Sequence, residues 1–371
     1  MAKIVVVGSG IAGASVFFAL ARRGEEVLLV DDGAAGQATA ASAGIIEPWS
    51  SLSSGAYYAL YTSGAAYYPE LLSQLDEVGI SDAGYRRTGG LIVNRDSGTL
   101  DAAHERLERR RHEYGATMSA MGTVERIGGE RARALFPPLA EGLDALLVEG
   151  GGRVDGRTMR DALIAGGRTL GGTVESGHAE PLEDTAVQLN GRRIDADAVV
   201  IASGAWSAID LSARGVRAPV QPQRGQITHL RLEGVDTSGW PTVYPLTHHY
   251  IVSFDDGRIV VGATREDGVG FDPRVTVEGQ VQVLHDALSI APGLIDATVI
   301  ETRVGLRPMA EGGVPVVGEV PGHPGLFVAT GYGAGGLTMG PMLGDMLARS
   351  IGGEHVSGLD VTHPGALGDN D

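Results

Sequence analysis

The stretch IVVVGSGIAGASVFFALARRGEEVLLVDD, residues 4–32, constrains the fold more than any other part of the chain. Four apolar residues, Ile4 to Val7, run straight into Gly8, Gly10 and Gly13; a helix-length apolar segment follows, and a second apolar run ends at Asp31 and Asp32. This is the order strand, glycine turn, helix, strand, a βαβ unit. The first glycine of G-x-G-x-x-G permits a tight turn, the second lets main-chain amides approach a pyrophosphate, and the third lets the helix pack on the strand. The helix N-terminus then faces the phosphates. Asp31 follows Gly13 by eighteen residues, where an acid accepts hydrogen bonds from ribose hydroxyls. Strand, helix and acid in register predict dinucleotide binding, without separating NAD from FAD.

Composition bounds the rest. A chain of 371 residues, 43% hydrophobic and 20% charged, is folded globular material of roughly two domains. The start, MAKIVVVGSG, fits neither a signal peptide nor a membrane span, so a cytoplasmic protein is the expectation. With no cysteine there are no disulfides, thiolate metal ligands, thiol nucleophiles or cysteinyl cofactor links, so any cofactor is non-covalent on that side. A net charge of −17 disfavours nucleic acid and anionic lipid as partners. Lys3 is the only lysine.

Beyond the front unit, residues 101–115 read as a charged helix, and the apolar run 198–202 leads into SGAWS. From 226 to 265 the pattern alternates and turns, which predicts antiparallel strands. The last eighteen residues lack periodicity and are expected to pack loosely. Residues 36–48, GQATAASAGIIEP, carry small side chains where a lone NAD domain would continue with further βαβ units, and leave room for something bulky and flat.

In order along the chain, VVVGSGIAGAS, VLLVDD, GQATAASAGII, RVDGRTMRDAL, VVIASGAWS, QPQRGQ, HHYIVSFDDGRIVVGAT, VGLRPMAEGGVPVVGE and GLFVATGYGAGGLTMGP resemble the glycine oxidase and D-amino-acid oxidase family of FAD-dependent oxidoreductases. The resemblance implies an α/β protein, α+β overall. A Rossmann-like FAD domain (1–84, 149–218 and 301–371) would be joined to a substrate domain (85–148 and 219–300) with a mixed, mainly antiparallel sheet.

It also implies roles. Gly8, Gly10, Ile11, Ala12, Gly13, Asp31 and Asp32 would hold the adenosine and pyrophosphate. Thr39, Ala40, Ser42, Ala43 and Gly44 would line the phosphates and ring, Val174 would hold adenine by its main chain, and Ser203, Gly204 and Trp206 would pass close to the nucleotide. Gly333, Ala334, Gly335, Gly336, Leu337 and Thr338 would meet the pyrimidine edge of the flavin, a helix N-terminus placing positive charge where reduction develops negative charge. Arg307 in GLRP would fix the substrate carboxylate, with Tyr250 in HHYIV beside it; Arg307 would also adjoin the flavin. Arg224 in QRGQ is a further anion candidate. His248 and His249 do not make a metal pair, because neighbours on a strand face opposite ways, and no metal site is expected.

The implied activity is oxidation of a small amino acid or secondary amino acid, of the glycine, D-amino acid or N-methyl amino acid class. Hydride would pass from Cα to flavin N5 to give an imine that hydrolyses. Two departures bear on it. Ala334 stands where glycine oxidases often place an arginine, so fewer positive groups are expected near the flavin and the substrate is expected to differ from glycine. The lysine with which sarcosine oxidases activate oxygen has no counterpart, so oxygen and an electron carrier both stand as acceptors. A homo-oligomer is left open. The rival classes are an NAD-linked hydroxy-acid dehydrogenase, which shares the front fingerprint, and a flavoprotein acting on RNA, which the acidic charge disfavours.

Overall fold

The computed structural model describes residues 2–182, 185–362 and 368–369. Lys3–Val7 (β1) and Glu26–Asp31 (β2) pair in parallel and are joined through the helix Ile11–Arg22 (α1), so the βαβ unit forms where the glycine spacing places it. Both strands are nearly all buried, as expected for a parallel sheet covered on both faces.

The sheet has six strands in the order Val316–Glu319, Leu326–Thr330, Ala198–Ile201, β1, β2, Thr173–Ser176. Every neighbouring pair is parallel except the Val316–Glu319 edge. Strands far apart in sequence lie side by side, so this layer is assembled from separate segments of chain. The helix Gly336–Ile351 (α2) packs along α1 and shares its apolar cluster, with Phe17 and Leu20 against Met339, Leu343 and Leu347.

The second sheet has eight strands. Val220–Arg231 (β3), Tyr250–Ser253 (β4), Arg258–Gly262 (β5) and Thr298–Ala310 (β6) make up one half, in the order β6, β3, β5, β4. Thr242–Tyr244, Gly90–Asn94, Asp144–Val148 and Val124–Ile127 continue it. All pairs are antiparallel except Thr242–Tyr244 beside Gly90–Asn94, so the sheet is mixed and mainly antiparallel. Pairing of β6 with β3 runs from Ala310 opposite Val220 to Thr298 opposite Arg231, so residue 301, expected to open an FAD-domain segment, lies inside a strand of this second sheet.

The charged helix spans Ser97–Tyr114, somewhat longer than 101–115, because Asp96 caps it by accepting from the Thr99 amide at 2.9 Å. The chain end is better packed than expected as far as residue 362. Leu359 joins the core around α2, and buried Thr362 donates its hydroxyl to the Val317 carbonyl at 3.1 Å. Residues 363–367 and 370–371 of that expectation lie outside the described residues. No described helix is long and apolar enough to cross a membrane.

Candidate active site

A cavity of about 690 Å³ opens where the carboxyl ends of the parallel strands meet the face of the second sheet. Open α/β sheets place ligands at such strand ends. Its floor is main chain. Gly8 has φ +101° and a Cβ there would lie 2.5 Å from the Ala202 carbonyl oxygen, so only glycine lets β1 turn beneath its neighbour. A Cβ on Gly13 would lie 1.8 Å from the Gly8 oxygen, which fixes glycine as the contact between α1 and the turn.

The helix N-termini at this cavity are left open. The outer helices Ser97–Tyr114, Gly156–Thr169 and Val277–Ile290 each receive a side-chain cap from Asp96, Asp155 or Thr276. Helices α1 and α2 start at Gly10 and Gly335 with no side-chain cap and no acid in the first turn. Their first amides therefore face the cavity lining at Ile11, Ala12, Gly336 and Leu337 as donors for an anion or an electron-rich ring. One is claimed: the Ile11 amide donates to the Thr39 hydroxyl at 2.9 Å, which ties the small-residue run across the front of α1. That run lies between the two sheets. The Leu306 amide donates to the Gly36 carbonyl at 2.8 Å, and a Cβ on Gly305 would come within 3.1 Å of Ala38 and Ala41. Small side chains here hold the walls apart without filling the space between them, and such a cradle of glycine turn, open amides and flat slot fits a dinucleotide carrying a ring system.

Asp31 lines the cavity but is already occupied as an acceptor, from the Ser9 amide at 2.6 Å, the Gly33 amide at 2.7 Å and Gln37 Nε2 at 3.0 Å. It braces the glycine turn and keeps limited capacity for a ribose. Asp32 meets His178 at 3.3 Å, and Ser203 donates to Asp210, whose carboxyl is pushed up by burial. Trp206 also lines this end, its ring 5.3 Å from that of Phe271.

The opposite end is built from side chains of the second sheet. Arg307 on β6 pairs in register with Gln223 on β3, and its Nη1 donates to Gln223 Oε1 at 3.1 Å and to the Thr264 carbonyl at 3.0 Å. A Cβ on Gly225 would lie 2.4 Å from Arg307 Nη2, so the guanidinium lies across a glycine. Burial pushes its pKa down, while the adjacent Tyr250 favours the charged form. Held from one side, the fork presents its remaining donors to the cavity, the geometry that receives a carboxylate. Tyr250, Tyr57, Tyr61, Tyr244, His248 and Arg265 complete this end. Tyr57 is pushed up to about 12 by burial and Tyr61 is pushed up further, so both hydroxyls stay protonated. His248 is pushed down, chiefly by the charge of Arg265.

Of the residues singled out from the sequence, Gly8, Gly10, Ile11, Ala12, Asp31, Asp32, Thr39, Ser42, Ala43, Gly44, Ser203, Gly204, Trp206, Tyr250, Arg307, Gly333, Ala334, Gly336 and Leu337 line this single cavity. Others stand behind it. Gly13 packs against Gly8, Gly335 lies under Tyr57, and buried Thr338 hydrogen-bonds Tyr61. The Ala40 carbonyl faces away, accepting from Arg157 Nε at 3.0 Å. Val174 pairs with Leu29 on the edge strand of the sheet, and Gly177, His178 and Ala179, which follow it, line the cavity.

Arg224 is no anion site. Its guanidinium is buried and held by Glu266 Oε2 at 2.6 Å and Asp272 Oδ2 at 2.8 Å, which satisfies its charge internally. His249 is buried with its pKa pushed down to about 4 by desolvation, and no cluster of three or more potential metal ligands occurs among the described residues. Ala334 brings no charge to the cavity, which Arg265 lines together with Arg307. Sequence reasoning missed Arg265, since nothing around it in ATREDG marks which way it points. Glu47 was missed as well. It is buried, one oxygen accepts from the Thr242 hydroxyl at 2.9 Å, the other has no partner, and desolvation pushes its pKa up to about 7.

A parallel sheet with a glycine turn at its strand ends, roofed by a mainly antiparallel sheet that presents an arginine fork to the shared cavity, is the architecture of a dinucleotide-dependent oxidoreductase. The particular family follows from comparison. Residues 3–350 match the family of FAD dependent oxidoreductases known as DAO, and the chain belongs to it. It is therefore an FAD-dependent enzyme. It is 42% identical to the uncharacterized oxidoreductase YurR of Bacillus subtilis (strain 168), over 98% of each chain. It is 30% identical to a glycine oxidase of Geobacillus kaustophilus (strain HTA426), over 94% of this chain and 92% of the relative. Among solved structures, iminodiacetate oxidase from Chelativorans sp. BNC1 superposes with a TM-score of 0.92 at 43% identity, covering 95% of this chain and 96% of that one.

Proposed function

We propose that the chain oxidises a small amino acid or secondary amino acid at the carbon between nitrogen and carboxylate. The observation that carries this is Arg307, a half-buried guanidinium anchored from one side by Gln223 and Thr264 and open to the cavity beside Tyr250. Its bidentate fork fixes a carboxylate, and with it the rotation of the adjacent C–H bond; a charge-assisted contact of this kind contributes about 1.5 to 3 kcal/mol. Bound FAD supplies the two-electron acceptor for the hydride. Gly8, Gly10, Ile11, Ala12 and the Thr39 segment would hold its phosphates, and Gly333 to Leu337 would adjoin its ring.

The remaining chemistry belongs to the substrate. The neutral amine's lone pair forms the C=N bond as hydride leaves carbon, and the nitrogen proton goes to water. Water then adds to the imine and the C–N bond breaks, giving a 2-oxo acid and the amine. Tyr57 and Tyr61 stay protonated and the charge of Arg265 disfavours the charged form of His248, so Arg307 and Tyr250 act by binding and orienting. The likeness to glycine oxidase and iminodiacetate oxidase supports substrates with a CH–NH group next to a carboxylate. The absence of a second lysine leaves both oxygen and an electron carrier as acceptors, in the cytoplasm.

The test is anaerobic mixing of the yellow holoenzyme with D-, L- and N-methyl amino acids and with iminodiacetate. Bleaching of the flavin by members of this panel is the expected result, and readmitting oxygen then separates oxidase from dehydrogenase. Holoenzyme that stays yellow with every amine would end the proposal.

A further inference from the structure

We infer that Arg265 anchors a second substrate carboxylate, so that the preferred substrate is a secondary amine carrying a carboxylate on each side, an imino-dicarboxylate. This rests on the proposed oxidation of a CH–NH group next to a carboxylate and narrows its substrate class.

The placement of Arg265 is fixed by its neighbours. On one side the Thr264 amide donates to the Gln226 carbonyl at 3.2 Å, and the Thr264 carbonyl accepts from Arg307 Nη1 at 3.0 Å. On the other side Glu266 and Arg224 exchange main-chain hydrogen bonds, both at 3.0 Å. Arg265 therefore projects into the cavity from a backbone anchored at both ends, one residue from a group that touches Arg307. Arg265 is exposed to solvent where it lines the cavity, and its charge opposes the charged forms of both Arg307 and His248. An anion bound between two like charges in one cavity is attracted by both.

The acids nearest in sequence are all engaged elsewhere. Glu266 accepts from Arg224, Gln226 and Thr264, Asp267 from Gln223, and Asp272 from Arg224 and Arg274. Arg265 has no carboxylate partner among the described residues, although the chain carries an excess of acids over bases. Glu47, the buried acid at this end with its pKa pushed up to about 7, is only partly ionised at neutral pH and accepts from the Thr242 hydroxyl. Ala334 adds no charge. Two arginines in one cavity, one fixed for a carboxylate and one without an internal partner, match an amine flanked by two carboxylates.

The experiment uses the holoenzyme and two pairs of compounds. Iminodiacetate and sarcosine differ only in the second carboxylate; oxydiacetate and methoxyacetate are their ether counterparts, which bind without reacting. Aspartate, with both carboxylates on one carbon chain, separates an imino-dicarboxylate from an acidic amino acid. Wild type is expected to prefer iminodiacetate to sarcosine in kcat/KM, and oxydiacetate to methoxyacetate in Kd read from the flavin spectrum. Arg265→Leu is expected to lower both ratios roughly ten- to hundredfold, the range of a charge-assisted pair, with Arg265→Lys in between. Equal ratios in wild type and Arg265→Leu would overturn the assignment, as would a preference for aspartate over iminodiacetate. Failure of every amine to bleach the flavin would instead remove the proposed reaction, while the ether pair would still report on Arg265.

Discussion

The two ends of the cavity are made of different material. The end formed by the parallel sheet is main chain and small residues: the Gly8 turn, the open amides of α1 and α2, and the run through Thr39 and Gly44. The end formed by the second sheet is long side chains, among them Arg307, Arg265, Tyr250 and Tyr244. Main chain binds what is common to a class of ligand, a pyrophosphate or a flat ring, and tolerates almost no change. Side chains bind what distinguishes one substrate from another, and can be exchanged one at a time while the fold persists.

The sharpest way to break that contrast is a single methyl group at the first end. Gly13→Ala puts a carbon 1.8 Å from the Gly8 oxygen, with the Gly8 backbone and the Ala202 Cβ around it and nothing flexible to yield. Loss of about 3 kcal/mol or more is expected, together with loss of FAD. A normal thermal midpoint and a full flavin spectrum in this variant would show that the turn is not the rigid floor described.

Glu47 tests the second end through stability. Its pKa rises from 4.5 to about 7 in the folded state, so the folded chain binds more protons than the unfolded one across that range. Stability is then highest below pH 4.5 and falls as pH rises to about 7, by about 3 kcal/mol for this shift. Glu47→Gln removes the titration, so the difference in unfolding free energy between variant and wild type should grow with pH over that window and then level off. A pH-independent difference in denaturant titrations would place the carboxyl in a wetter setting.

Arg307→Ala should retain FAD and raise KM for carboxylate substrates roughly 10- to 100-fold, since the interaction removed is a charge-assisted pair. Unchanged KM would take Arg307 out of the substrate site.

The same contrast explains what was legible in the sequence. Constraints on main chain are written as glycine, and glycine at Gly8, Gly10 and Gly13 between an apolar strand and an apolar helix has few other meanings. The βαβ unit and the antiparallel middle followed from such patterns, whereas most of the cavity lining followed from the resemblance to the family. Which residues around the edge strand Thr173–Ser176 line the cavity is decided by strand register, and one strand's register is not encoded locally. Arg224 and Arg265 show the limit most clearly. Arg224 lies within β3 and Arg265 in the segment after β5, yet one is neutralised by Glu266 and Asp272 and the other is exposed at the cavity, a difference set by partners distant in sequence.

Gly225 gives the smallest effect and the finest distinction. It lies on β3 opposite Gly305 of β6, and a Cβ there would meet only the far end of Arg307, at 2.4 Å from Nη2. Unlike the backbone beneath Gly13, a guanidinium can move aside, so Gly225→Ala should fold with little loss of stability. The fork would still have Gln223 and Thr264 to bond, but in a shifted plane, and bidentate contact with a carboxylate depends on that plane. An increase in KM of about fivefold, with FAD content and thermal midpoint close to wild type, is the expected result. A large drop in midpoint with unchanged KM would mean that Gly225 serves the packing of the sheet, and that the side-chain end of the cavity is as rigid as the main-chain end.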